Sequence, residues 1–322
     1  MKDTLVGKML KRLIHIGRYL KNGLKAKIFG VGDFGKEDLK YKRRVKETAL
    51  TSTDIVAMKK EIELFVFKPK ISVVMPVYNI QPKWLIKAIE SVFKQVYENW
   101  ELCIADDASS KPYIREVLTR YQTLDKRVKV KFLEENQGMS GASNTGLDLA
   151  TGHYAAFLDH DDELSRDSLF EVVKLLNLHP EAQIIYSDED KLTMSGQRLR
   201  PVYKPDWNPD LFLTFNYLCH LVVCTRELLL KVGGFRKGFE GCQDYDLLLR
   251  LTELTDKIFH IPKVLYHWRM IPGSAAFVVD AKSKAFGRAK RALEEALQRR
   301  DIQAEVLDGE TQGTFLIQKK EL

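Results

Sequence analysis

Ile71-Ser72-Val73-Val74-Met75-Pro76-Val77-Tyr78-Asn79 is a short, β-branched apolar run that stops at a proline-containing polar turn. A continuous apolar run of this length, preceded by Lys68-Pro69-Lys70, predicts a strand buried on both faces. The residues that follow repeat the theme. Trp84 to Val96 carries Leu85, Ile86, Ile89, Val92 and Phe93 at helical spacing and predicts a helix. Trp100-Glu101-Leu102-Cys103-Ile104-Ala105 predicts a second strand, ended by Asp106-Asp107-Ala108-Ser109. A helix over 112–123 and a strand over Val128–Leu133 come next, then a turn at Asn136-Gln137-Gly138 and a helix of small residues to Ala150. Tyr154–Leu158 predicts another strand, ended by Asp159-His160-Asp161-Asp162. Strands alternating with helices indicate an α/β domain whose mostly parallel central sheet is covered by helices on both faces. The polar clusters fall at strand C-termini, where open α/β sheets place their ligands.

Beyond residue 163 the pattern loosens. A helix over 166–178 and a strand over Ile184–Tyr186 lead into Ser187-Asp188-Glu189-Asp190. Leu221–Cys224 predicts a strand, Arg226–Val232 a short helix, Leu247–Glu253 more helix, Lys282–Arg300 a final helix and 314–318 a last strand. The expected organisation is a basic helical extension over 1–67, a catalytic domain over 68–280, and a C-terminal helix and tail over 281–322.

Charge is unevenly spread along the 322 residues. The formal net charge is +7, yet residues 1–50 hold ten Lys and four Arg against five acids, which leaves the remainder slightly acidic. A nucleic-acid-binding body would spread its cations over one of its own faces, so no nucleic-acid partner is expected. Over residues 2–28, Leu5, Met9, Leu13, Ile16, Leu20 and Leu24 share one helical face while Lys and Arg crowd the others. Such a helix can lie on an anionic membrane surface or pack on the body with its charged side in water. Gly30-Val31-Gly32-Asp33-Phe34-Gly35 fits a dinucleotide-binding pattern, but it lacks the buried strand before it and the apolar helix after it that the motif requires. Cys103, Cys219, Cys224 and Cys242 form no CxxC pair, which fits reduced thiols in a cytoplasmic protein. No apolar stretch reaches the length of a membrane span, and no signal-peptide pattern follows Met1.

The chemistry concentrates in a few carboxylates. Asp159 and Asp161, at i and i+2 after a buried strand, can face one site and bridge Mg²⁺ or Mn²⁺ to phosphate oxygens, or they can simply cap a turn. Asp107 occupies the same position after the second strand and can accept hydrogen bonds from a base N–H or ribose hydroxyls. Asp244 and Asp246 open a helix, either as favourable charge at its N-terminus or with one of them serving as a general base. His267 is a candidate metal ligand or a plain surface histidine, and Arg269 a candidate phosphate partner.

Taken together, residues 70–270 resemble the family 2 inverting glycosyltransferases of the GT-A fold, particularly the branch that builds bacterial surface polysaccharides such as O-antigen. The likeness rests on Ile71–Asn79, Asp106–Ser109, Glu135–Gly138, Ser143–Gly146, Leu158–Leu164, Tyr186–Lys191, Lys204–Trp207, Gly233–Phe235, Gln243–Asp246 and Tyr266–Arg269, in that order. It implies that Pro76, Val77, Tyr78, Asn79 and Asp107 hold the nucleoside, with Asn136, Gly138 and Arg269 also on the donor. It makes Asp159 and Asp161 a DxD motif, with Asp161 on the metal and Asp159 on metal or ribose. His267 matches a further metal ligand, and Asp244 the catalytic base. Asp188 and Glu189 match a family motif to which no role is assigned. The implied donor is a UDP- or dTDP-sugar, the cofactor Mn²⁺ or Mg²⁺, and the acceptor a lipid-linked glycan on the inner face of the cytoplasmic membrane. Relatives often continue into further domains, and Thr314–Ile317 resembles a linker strand towards one.

Two other enzymes and one non-enzyme compete with this. A nucleotidyltransferase would place a Gly-rich basic loop where Pro76–Asn79 stands. A processive synthase would carry membrane spans and a QxxRW motif, and neither is found in the sequence. A catalytically silent sugar- or nucleotide-binding module would leave Asp161 and Asp244 idle.

Overall fold

In the computed structural model, residues 35–271 and 279–319 are described. The amphipathic helix expected over 2–28 and the glycine-rich turn at 30–34 lie outside them. The charged run that follows forms helix α1 (Gly35–Glu47), and α2 (Ser52–Leu64) starts at a Thr51–Asp54 capping box. The next elements are β1 (Ile71–Val77), α3 (Pro82–Phe93), β2 (Trp100–Asp106), α4 (Pro112–Leu124), β3 (Val128–Phe132), α5 (Gly138–Leu149) and β4 (Tyr154–Phe157). These follow the sequence pattern closely.

β1 lies between β2 and β4, parallel to both, and β2 pairs in parallel with β3. Alternate residues of β1 feed two cores. Val73 and Met75 pack towards Trp84, Leu85 and Ile89 of α3, while Val74 faces the opposite layer. All of these are buried, as a strand covered on both faces must be. Helix α5 approaches β1 very closely because its facing residues are small. A Cβ on Gly146 would stand 2.7 Å from Val74 Cγ1 and 3.3 Å from the Cys103 carbonyl oxygen.

The other half of the sheet is built from later segments: β5 (Glu163–Leu164), β6 (Ile184–Leu192), β7 (Arg198–Val202), β8 (Val222–Thr225) and β9 (Ile258–Arg269). The strand order is β3-β2-β1-β4-β8-β6-β9-β5, with β7 on β6. β8 joins β4 and β6 by antiparallel pairing, and β9 runs parallel to β6. Between β4 and β9 also lie α6 (Ser168–Leu178), α7 (Pro209–Phe212), α8 (Arg226–Lys231) and α9 (Gln243–Leu251). Pro262 places a residue without an N–H inside β9. It is accommodated where the β6–β9 register jumps, with Ser187 opposite Ile261 and Asp188 opposite Val264.

Helix α10 (Val279–Arg299) lays Ala289, Ala292, Leu293, Ala296 and Leu297 into the core that contains Leu248 and Leu251 of α9. The strand expected near 314–318 is β11 (Phe315–Lys319), antiparallel to β10 (Ala304–Asp308), and Phe315 N–H donates to the Thr214 carbonyl at 2.7 Å. Among the described residues no helix is long and apolar enough to cross a membrane, and all four cysteines are free.

The α5–β1 contact yields a direct test. Gly146→Ala should destabilise the fold by about 1–3 kcal/mol through overpacking, read as a lowered urea midpoint. An unchanged midpoint would mean that α5 can move away from β1 freely.

Candidate active site

The C-terminal ends of β1, β2 and β4 bring three loops together. After β2 the chain turns sharply, with Asp107 N–H donating to the Val77 carbonyl at 2.8 Å. Asn79 and Ala108 both take left-handed backbone conformations, with φ of 47° and 55°. Asn79 offsets that strain locally, because its Oδ1 accepts from Ser110 N–H (3.0 Å) while its own N–H donates to Ser109 Oγ (3.0 Å). The Asp107 carboxylate accepts from Gln137 N–H at 2.6 Å, and Asn136 Nδ2 donates to the Asp107 carbonyl at 3.2 Å. Gly138 N–H donates to Asn136 Oδ1 at 3.2 Å. Asp107, Asn136 and Gly138 are thereby one hydrogen-bonded unit beside the Pro76–Asn79 turn, and Tyr78 stands exposed at its rim.

The acidic turn after β4 is fixed from both sides. His160 Nδ1 lies 2.9 Å from the Pro76 carbonyl, and since a carbonyl only accepts, that nitrogen carries the proton. Asp162 is completely buried and accepts from Tyr266 Oη (2.6 Å) and Arg269 N–H (2.7 Å). Asp159 and Asp161 remain part-exposed. Burial raises the Asp161 pKa above the usual carboxylate range, and the neighbouring Asp159 charge adds to that, against His160 and Arg269. This is the electrostatic setting that a bound divalent cation relieves.

Arg269 requires a correction. Expected to meet a phosphate, it is wholly buried under the acidic turn. Its guanidinium donates to the Asp161 carbonyl (2.8 Å) and to Glu163, and it lies 4.5 Å from the centre of the Trp84 ring. It supports the acidic turn from below and is not available to a ligand.

Strand β6 runs on through Ser187-Asp188-Glu189-Asp190, and all three acids are buried. Each holds a partner. Asp188 binds His260 Nε2 (2.9 Å) and accepts from Lys204 N–H (2.9 Å). Asp190 Oδ1 lies 2.7 Å from His267 Nδ1. Glu189 pairs with the buried ammonium of Lys204 at 3.2 Å and accepts from His220 N–H at 3.2 Å. Burial alone would raise Glu189, but Lys204, Lys191 and His220 outweigh it and hold its pKa at about 2. That depressed value contributes stability that is present above the ordinary glutamate pKa of about 4.3. It is lost progressively as pH falls from there through about 2.

Lys204 transmits this pairing to the site. Its Nζ also donates to the carbonyls of Leu218 (2.6 Å) and His220. The segment 213–221 is therefore pinned from beneath. It presents His220, whose ring stacks on Tyr266 with centroids 4.6 Å apart and whose Nε2 lies 3.9 Å from Asp159 Oδ2. It also presents Asn216, whose Nδ2 donates to Asp244 Oδ2 at 2.8 Å. Asp244 sits in the first turn of α9, where the helix dipole favours a carboxylate. Burial raises its pKa, with Asp159 adding to the rise and the nearby His220 opposing it. Asp246 is different: it is buried and accepts from both Arg236 and Arg250, so it is a structural acid.

Asp159, Asp161, Asp244 and His220 thus form one acidic cleft around an imidazole. His267 enters from β9, with Glu163 of β5 as its register partner. Its Nδ1–H is donated to Asp190, which leaves Nε2 with a lone pair for a metal, the usual orientation of a ligating histidine. Among the described residues no three His, Cys, Asp or Glu form a ready-made metal cage. Asp161 and His267 are each of the type that supplies one of the one or two protein ligands a Mg²⁺ ion takes beside phosphate oxygens. His220 and Asn216 are not legible as site residues in the sequence, because neither sits in a periodic or motif-like stretch; Lys204 opens the Lys204–Trp207 stretch, but nothing there marks its buried pairing with Glu189.

The fold and these contacts can be set beside known proteins. The model for "Glycosyl transferase family 2" matches residues 72–232, half of the chain. An O-antigen biosynthesis protein of Myxococcus xanthus is 39% identical over 244 residues, 74% of this chain and 19% of that protein. An uncharacterised protein of Sinorhizobium fredii is 52% identical over 233 residues, 72% of this chain and 26% of that protein. The chain therefore spans about a quarter or less of the length of these relatives. S. aureus TarS, solved with UDP-GlcNAc, superposes with a TM-score of 0.56 at 18% identity over 72% of each chain. A mannosyltransferase of Pyrobaculum calidifontis, solved with GDP-Man and Mn²⁺, gives 0.55 at 18% identity, over 86% of this chain and 74% of the other. At that identity the structural likeness speaks for the fold, and the family match for the lineage: the chain belongs to the family 2 glycosyltransferases and has their GT-A fold.

Proposed function

We propose that this chain moves one sugar from a nucleoside-diphosphate sugar to a hydroxyl of an acceptor glycan, with inversion at the anomeric carbon and dependence on Mn²⁺ or Mg²⁺. The observation that carries this is Asp244. It lies in the acidic cleft, oriented by Asn216, with a pKa raised by burial. A carboxylate so placed can take a proton near neutral pH more readily than an exposed one.

The chain's own residues divide the work. Asp107, held by Gln137 and Asn136, and the Pro76–Asn79 turn receive the nucleoside. Asp159 reaches ribose or the metal. Asp161 and His267 hold the cation, which when bound neutralises charge on the departing diphosphate. Asp244 removes the proton from the acceptor hydroxyl as its oxygen attacks from the side opposite the nucleotide. Because a nucleoside diphosphate leaves readily once neutralised, no protein acid is needed on that side. His220, between Asp159 and Asp244, supplies a hydrogen-bonding edge where donor and acceptor meet.

The acceptor class follows the relatives: surface polysaccharide of the O-antigen kind, built on a lipid carrier at the cytoplasmic face of the membrane. The basic segment 2–28 suits an anionic surface there. The catalytic domain is proposed to extend over 68–280, with 1–67 as a basic helical extension and 281–322 as a C-terminal helix and tail.

Release of nucleoside diphosphate from a donor panel, with Mn²⁺, Mg²⁺ or chelator, tests this. One donor should turn over, and chelator or Asp161→Ala should abolish turnover. If no donor binds or turns over, the chain is a silent module. Asp244→Asn should lower kcat by about 10²–10⁴-fold while donor affinity stays within about twofold; retained turnover would place the base elsewhere. In the wild type, a base must be ionised to act, so kcat/KM should fall as pH drops through the raised Asp244 pKa. That acid limb should lie above the ordinary aspartate value of about 4, and a limb at or below it would contradict the assignment.

A further inference from the structure

The family match begins at residue 72, yet a residue well before it reaches the carboxylate that holds the candidate metal ligand. Tyr41 of α1 donates its hydroxyl to Asp190 Oδ2 at 2.6 Å, and the other oxygen of Asp190 lies 2.7 Å from His267 Nδ1. Arg198 of β7 closes the arrangement, with Nε on Asp190 Oδ2 (2.6 Å) and Nη2 on the Tyr41 hydroxyl (3.0 Å). Tyr41 and Asp190 are buried, and Arg198 is mostly so. A carboxylate has two oxygens that can each accept, and here one is committed to the imidazole and the other to Tyr41 and Arg198. The Tyr41 hydroxyl and Arg198 together fix the rotation of Asp190, and Asp190 orients the ring of His267.

The way α1 is attached makes this contact separable. Tyr41 is its buried anchor, while Leu39 on the same helix is 68% exposed. Polar contacts add to it: Asp38 Oδ1 accepts from Arg200 N–H at 3.0 Å, and Arg44 donates to the Tyr203 hydroxyl at 3.3 Å with its guanidinium over that ring. Tyr41 is the one residue of α1 that is buried among those described, so the Tyr41–Asp190–Arg198 knot is a principal point of its docking.

We propose that Tyr41 is a positioning residue for the metal site, and that docking of α1 on β7 orients His267 through Asp190. This rests on His267 being a metal ligand.

The test is Mn²⁺ affinity in the presence of UDP, followed by the electron paramagnetic resonance signal of free Mn²⁺, for the full chain and its variants. Tyr41→Phe keeps the ring and removes the hydroxyl. It should weaken Mn²⁺ binding by about three- to tenfold, at or below the low end for residues behind a metal ligand, with the affinity for UDP without metal unchanged. Asp38→Ala/Arg44→Ala loosens α1 without touching the knot and should weaken Mn²⁺ binding in the same direction. It guards against a folding defect peculiar to Tyr41→Phe. His267→Ala sets the scale. If His267→Ala weakens Mn²⁺ binding and both α1 variants do not, the role of Tyr41 is overturned and the metal assignment stands. If His267→Ala leaves Mn²⁺ binding unchanged, the metal assignment falls and the role of Tyr41 falls with it.

Discussion

Three consecutive acids on an interior strand have to be paired, and that requirement shapes the cleft. Asp188, Glu189 and Asp190 of β6 are buried. A buried charge left without a partner costs several kcal/mol, far more than any surface ion pair returns. The chain meets the requirement with His260 for Asp188, Lys204 for Glu189, and His267 with Arg198 for Asp190. Two of these partners, Lys204 and His267, also bear on the candidate site. Lys204 carries the carbonyls of Leu218 and His220, and so places the segment from which His220 and Asn216 act.

The sheet divides the labour. Its parallel half, β3-β2-β1-β4, ends in loops that form the Asp107–Asn136–Gly138 unit and the acidic turn. Its second half, reached by the antiparallel β8, contributes His267 on β9 and the acidic strand β6. Arg269 joins the two: it leaves β9, bonds Asp162 through its backbone, and supports Asp161 and Glu163 with its guanidinium. The geometry of Asp159 and Asp161 therefore depends on a strand more than 90 residues further along the chain.

The first half of the fold is legible in the sequence because its physics is local. β1, β2 and β4 are apolar runs with a helical period between them, and their C-terminal polar turns are short-range features. The second half is less so, because there long-range pairing overrides local preference. By local pattern β6 stops at Tyr186, since five polar residues follow; it continues to Leu192 because partners elsewhere pair the acids among them. β9 is hidden in the sequence because Pro262 interrupts it, and only the β6 bulge accommodates that residue. Arg269 reads as a phosphate partner because nothing in a sequence distinguishes a buried arginine from an exposed one. His220 becomes visible as part of the cleft only through its contacts with Asp159 and Tyr266.

If the buried Glu189–Lys204 pair holds the catalytic cleft in shape, a double-mutant cycle on it shows this most directly. Urea unfolding would be measured for the wild type, Glu189→Gln, Lys204→Met and the double variant. Each single change strands a buried charge or its partner and should cost about 3–5 kcal/mol. The double variant should cost clearly less than the two together, with a coupling of at least about 2 kcal/mol. Costs that add to within about 0.5 kcal/mol would show that the two residues act independently and would contradict the claim.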